Sequence, residues 1–351
     1  MFLEFSEGEV LKMLKDKETI FEKIKRTINN SGISQAFFTF LLFMAVGILF
    51  IDRFTNTTNL INVFRQGALI FSFSVGMTIT MLLSGLDLSI GAVGALASVI
   101  AATFIQSGNV ILGVVAGLLI GTLSGLLSGV AIAKFGVPSF IMTFSMMKIA
   151  NGLALEYTQG QSIYGFSNSF RFIGVGSIGS LPMPLVINFV VLVILAFVLS
   201  KTVYGRSVYA VGNSRNAARF SGISYQFTLI AGYAIAGFFS AFAGLLLIAR
   251  LGSAECVMGE SWPRQAIAAS VLGGVSFAGG RGSIVGTAFG SLCVAILYNI
   301  LNLSGVESSW QEFFLGFIIL AVIALDCVRN IWLGKRDVAR RLKNIKVSVP
   351  A

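Results

Sequence analysis

The sequence predicts an all-α protein that crosses a membrane about ten times, and three observations carry that prediction. Charge is scarce: Asp, Glu, Lys and Arg make up 11% of the 351 residues, where soluble domains carry about 25%. Apolar residues make up 56% and gather into runs of about 20, the length a helix needs to cross about 30 Å of hydrocarbon. Glycine recurs at four-residue spacing inside two of those runs, which lets helix backbones approach closely in lipid.

The elements follow in order. Residues 1–35 are polar and charged, with Val10, Leu14, Phe21, Ile24 and Ile28 near helical period and Lys and Glu between them. That stretch reads as an amphipathic helix on the inner membrane surface, or else as a solvated tail. No short apolar region with a small-residue cleavage site stands there, so the first run, near 36–52, is expected as an uncleaved span. The mostly apolar stretch Gln66–Ile105 would be about 60 Å long as one helix, enough for two crossings, near 66–83 and 88–105. Further spans are expected near 109–133, 139–157, 184–200, 226–249, 266–280, 283–303 and 311–328, followed by a basic tail, 329–351. Residues 36–328 thus form one transmembrane domain.

Charge gives the sidedness. The net charge of +10 invites a nucleic-acid reading, but the basic residues flank apolar runs, where they report orientation. With the N-terminus inside and ten spans alternating, only Arg53, Arg65, Arg171, Arg250 and Arg264 of the 25 Lys and Arg fall outside, and Lys148 lies within a span. Both termini are therefore expected in the cytoplasm. With no His in the chain, a His proton relay and a His metal site are excluded. Cys256, Cys293 and Cys327 are far apart and lack C-x-x-C spacing, so they read as unpaired packing residues, and no metal or cofactor is expected. "GVGSIG", Gly174 to Gly179, matches a dinucleotide fingerprint, but Pro182 and Pro184 follow where that fold needs a helix. No G-x-x-x-x-G-K-[ST] occurs, so the chain binds no ATP through a P-loop of its own.

Four features remain. Asp87, in "SGLDLSIGAV", is the only Asp, Glu, Lys or Arg between Arg65 and Lys134. It falls where the chain must turn, so it either caps the helix expected to start at Leu88 or makes a charged gate contact. Lys148 sits inside the fifth span, where it snorkels, pairs with a carbonyl or with Asp87, or meets substrate. Gly113, Gly117, Gly121, Gly125 and Gly129 form one stripe, and Gly282, Gly286 and Gly290 another; packing explains both. The basic segment Lys201–Ser224 is punctuated by Gly205, Gly212 and Gly222, with Asn213 and Ser214 as N-cap residues ahead of "RNAARF".

That last segment, "YGRSVYAVGNSRNAARFSGI", resembles the coupling loop of bacterial ABC importer permeases of the ribose/galactose/autoinducer-2 type. "SGLDLSIGAV" is similar to that family's Gly-Gly-Ile-Asp-Leu-Ser-Val-Gly signature. "AIAASVLGGVSFAGGRGSIVGT", Ala266 to Thr287, resembles its Gly-rich late segment. The likeness spans about residues 36–330, with two departures: Ser84 stands where Gly is usual, and Gln265 where an acid is common. The resemblance implies a multi-pass permease of the bacterial cytoplasmic (inner) membrane. It would work as a pair of permeases, expected as a homodimer, with cytoplasmic ABC ATPase subunits and an extracytoplasmic sugar-binding protein.

On that reading the ATP chemistry belongs to a partner chain and this chain is not an enzyme. Gly205, Arg206, Gly212, Asn213, Ala217, Ala218, Arg219 and Gly222 would form or flank the ATPase contact. Two glycine-broken regions, 84–94 and 273–282, would line the path or gate it. They contribute Asp87, Ser89, Gly91, Gly273, Gly274, Gly280 and Gly282, with Lys148 beside them. The polar outer loop 158–182 would meet the binding protein. Abundant Phe, scattered Ser, Thr and Asn and few charges suit a monosaccharide or similar polyol. A branched-chain amino acid, a nucleoside and an ion-coupled transport mechanism are the alternatives.

Overall fold

The computed structural model describes residues 33–322 and Ala324. The surface segment expected over 1–35 lies almost wholly outside the described residues, as do the basic tail and Cys327. The regular structure of the described chain is helical apart from four two-residue strands. Its helices are α1 Ile33–Phe50, α2 Thr57–Leu82, α3 Ile90–Gln106, α4 Val110–Phe135, α5 Ser139–Thr158, α6 Asn168–Val175, α7 Met183–Lys201, α8 Val203–Asn213, α9 Arg215–Phe220, α10 Tyr225–Leu251, α11 Trp262–Leu272, α12 Ile284–Leu303 and α13 Ser308–Val322. Strands β1 Ile163–Tyr164 and β4 Ser253–Ala254 pair antiparallel, as do β2 Ser177–Ile178 and β3 Leu181–Pro182.

Six of these helices, α1, α2, α4, α7, α10 and α12, are long and apolar enough to cross a membrane. They make the chain a polytopic membrane protein. Two of them, α2 and α10, form the centre: most of their residues are buried. By contrast α1, α4 and α7 turn apolar side chains outward, with Phe38, Leu49, Ile111 and Phe197 exposed, as lipid-facing or partner-facing helices do. The first glycine stripe explains the α4–α10 contact. A Cβ at Gly121 or Gly125 would overlap the backbone of Gly237 or Tyr233, so these helices touch main chain to main chain.

Several buried polar groups find partners inside the bundle, as a low-dielectric interior favours, while the Ser74 and Ser98 hydroxyls have none among the described residues. The Thr78 hydroxyl lies 3.0 Å from the Ser270 hydroxyl and 2.8 Å from that of Thr287, which ties α2 to α11 and α12. Ser72 donates to Asn188 Oδ1 over 2.8 Å, holding α7 against α2.

Three boundaries differ from expectation. The second span begins at Thr57, not 66, so Arg65 lies within α2, its guanidinium on the Val175 carbonyl at 3.5 Å. The eighth span, expected over 266–280, is the 11-residue α11, about 16 Å long and too short to cross alone. Trp262, at its start, stacks on Phe73 of α2 with ring centroids 4.8 Å apart and faces Gly94 of α3. The strap 252–261 therefore enters the bundle interior before α11 begins. Thirdly, the segment expected as a cytoplasmic loop is two helices, α8 and α9, rather than one short helix after a loop.

Candidate functional site

The chain breaks its helices twice, and both breaks are built the same way. At the end of α2, Ser84 N–H donates to the Met81 carbonyl and Gly85 N–H to the Thr80 carbonyl, each over 2.9 Å. At the end of α11, Gly274 N–H donates to Val271 (2.9 Å) and Val275 N–H to Ser270 (3.0 Å). This is the Schellman cap, whose C′ residue takes the left-handed conformation that glycine adopts freely. Gly274 fills that position at φ 80°, and Ser84 fills it at φ 59°, where a side chain costs about 1–2 kcal/mol.

The two breaks meet each other and α8. Gly280 N–H donates to the Leu82 carbonyl over 2.9 Å. The Ser84 hydroxyl lies 2.8 Å from the Gly212 carbonyl and 3.0 Å from that of Ala278. Tyr209 of α8 donates to the Gly282 carbonyl over 3.0 Å. Gly212 packs so tightly on this junction that a Cβ would overlap the Leu82 carbonyl oxygen. Three distant segments, each resembling a different motif of one family, are thus hydrogen-bonded together.

Asp87 lies in the first break, buried to 2% exposure. Its Oδ1 accepts from Ser89 N–H at 2.9 Å and from the Ser89 hydroxyl at 2.6 Å. That is an Asx turn, which corrects the expected cap: the helix starts at Ile90, not Leu88, and Asp87 acts one turn earlier. Ser89 is the N-cap residue, and it makes no side-chain cap bond because its hydroxyl is given to Asp87. The carboxylate still sits at the positive end of α3. Thr143 of α5 pins the same turn, accepting from Leu88 N–H and reaching the Leu86 carbonyl, both at 3.2 Å. Nothing in the sequence pointed to Thr143 or Tyr209, since their partners are main-chain groups far along the chain.

Of the α8–α9 residues, Arg206, Asn213, Ala217, Arg219 and Gly222 are exposed, while Gly205, Gly212 and Ala218 are buried. Ala218 therefore packs within the chain and offers no face to a partner, a correction to the alanine face expected there. Asn213 is the last residue of α8, and Ser214 caps α9, accepting from Ala217 N–H at 3.3 Å. Phe220, at the end of α9, is 92% exposed. It lies beside Arg219, and the sequence reading passed over it.

A cavity of about 620 Å³ opens beside the first break. Its walls are the first turns of α3 (Leu88, Gly91, Ala92, Ala95), one face of α5 (Phe140, Phe144, Lys148, Asn151, Gly152), the strap (Cys256, Gly259, Glu260) and the start of α11 (Pro263, Arg264). Gly91 and Gly273 are helical or helix-capping rather than parts of the breaks. Gly91 instead seats the strap, its backbone against that of Gly259. Lys148 does not pair with Asp87. Its ammonium lies over the Phe144 ring, 5.6 Å from the centroid, whereas Arg264 forms an ion pair with Glu312 at 2.8 Å. The size and the mix of apolar walls with few polar groups suit a small-molecule site.

Known proteins with this sequence pattern are transporters. Over 308 residues the chain is 41% identical to the ribose import permease protein RbsC of Bacillus subtilis, covering 86% of this chain and 96% of that protein. It is 32% identical over 293 residues to the D-allose transport system permease protein AlsC of Escherichia coli, covering 83% and 90%. With the fructose import permease protein FrcC of Rhizobium meliloti it shares 32% over 320 residues, covering 88% and 89%. No solved structure matches. Residues 59–323, from α2 to the last described helix, match the family described as branched-chain amino acid transport system / permease component, and the chain belongs to that permease family.

Proposed function

We propose that the chain is the membrane permease subunit of an ABC importer that passes a monosaccharide or similar polyol into the cytoplasm. The observation that carries this reading is the likeness, over nearly their whole lengths, to permeases named for ribose, allose and fructose. The chain supplies the path and the gates. ABC ATPase subunits in the cytoplasm hydrolyse ATP, and an extracytoplasmic sugar-binding protein delivers substrate.

The geometry supports a division of labour along the bundle. The exposed end of α9, with Arg219 and Phe220, is the docking point for the ATPase. The opposite end, with both two-stranded pairs and the 158–182 loop, receives the binding protein. Between them, the cavity face is the path. Lys148, Asn151, Glu260 and Arg264 line it, and charges at that depth do not face lipid. A second copy of the chain covers this face and completes the pathway. The topology we assign has ten spans with both termini inside, the 1–35 segment on the inner surface and the basic tail beyond residue 328.

A branched-chain amino acid is the second reading. The family's description names it, and the opposite charges of Lys148 and Glu260 in one cavity suit a zwitterion. Uptake of radiolabelled ribose into proteoliposomes holding the chain, its ATPase and its binding protein separates the two. The sugar reading expects ATP-dependent uptake that D-allose or D-fructose competes for and leucine does not. Leucine uptake without sugar uptake, or sugar uptake driven by an ion gradient without ATP, contradicts it.

A further inference from the structure

We propose that the Ser84 hydroxyl is a latch that binds α8 to both helix breaks, so that the three move as one body. The two caps provide an internal comparison. They share one hydrogen-bond pattern, yet the second has glycine at the left-handed position and the first has serine. Backbone shape alone favours glycine at both. What serine adds is a hydroxyl, whose one proton is shared between two carbonyls on two other elements: Gly212 in the last turn of α8 at 2.8 Å and Ala278 in the second break at 3.0 Å. Ser84 is itself exposed, so these bonds rather than close packing hold its side chain.

The consequence is mechanical. A displacement of α8 reaches the cap of α2 through the Gly212 carbonyl and Ser84. From there it passes through the Asp87 turn to Leu88 and Gly91, which bound the cavity. The same hydroxyl carries it to the second break. Ser84 touches no cavity wall, so it is a positioning residue.

This role rests on the importer reading for its transport consequence but not for its structural one, and two variants separate them. Ser84→Gly removes the hydroxyl and relieves the backbone; Ser84→Ala removes the hydroxyl and keeps the strain. In the full complex, both should lower sugar transported per ATP hydrolysed by about fivefold, the factor that one hydrogen bond supplies. In the purified chain, hydrogen exchange of the amides at 278–282 should quicken by about the same factor in both. The glycine variant should melt no lower than the native chain. A glycine variant that transports and exchanges like the native protein overturns the latch, because backbone shape then suffices. Unchanged exchange in both variants overturns it whatever transport does. A native complex without ATP-dependent uptake overturns the importer reading instead, and the exchange result still decides the latch.

Discussion

A lysine in the middle of an apolar helix costs about 2.5–3.5 kcal/mol when it faces hydrocarbon. Lys148 faces the cavity and the Phe144 ring instead. Since no acid pairs with it, Lys148→Met should leave the melting temperature equal or higher. Transport should nevertheless suffer: the KM for sugar should rise about tenfold, the value of one hydrogen bond from a charged donor, measured as uptake against concentration. Asp87 predicts the opposite pattern. Asn keeps the oxygen that accepts both Ser89 bonds, so Asp87→Asn should fold and transport within about twofold of native, whereas Asp87→Ala should lose about 1–3 kcal/mol of stability by stranding the Ser89 donors. That the chain turns near Asp87 was legible from span length alone. That its carboxylate reaches Ser89 was not, because "DLS" fits the first turn of a helix as well as an Asx turn, and only the path of the backbone decides.

Glycine had different meanings in different elements, and sequence spacing separated them only in part. The α4 stripe was readable because its four-residue period lies close to one helical turn, and the contact with α10 fits it. The second break was half readable. Apolar character runs on through Val275 and Phe277, so a hydropathy count carried the eighth span to 280, whereas the left-handed turn at Gly274 ends the helix at Leu272. Gly125 and Gly152 now make opposite predictions. A side chain at Gly125 meets the Tyr233 backbone, while one at Gly152 meets nothing within 4 Å and enters the cavity. Gly125→Leu should therefore destabilise by about 1–3 kcal/mol or more, read as lost yield of folded protein. Gly152→Leu should fold normally and slow uptake, because it narrows the path without crowding a neighbour.

At the scale of the whole molecule, the fold joins in a line the segments that the proposed mechanism moves. The surface end of α9 leads to α8, α8 to both breaks, and the first break to the cavity wall. On the opposite side the β1–β4 pair joins the 158–182 loop to the strap whose Gly259 rests on Gly91. The cavity is thus in contact with segments leading to either end of the bundle, as a path with two gates requires. Lys148, Asn151 and Glu260 are exposed on one face of an otherwise apolar bundle, and the second copy proposed above would cover them as the far wall of the path. Chemistry at Asn151 tests this claim most directly. In a chain with Cys256, Cys293 and Cys327 changed to Ser, Asn151→Cys should be joined to a second copy by a bifunctional thiol reagent, and its modification should block ATP-driven ribose uptake. A chain that stays single under the reagent and imports ribose at the native rate after modification would contradict a path built on this face.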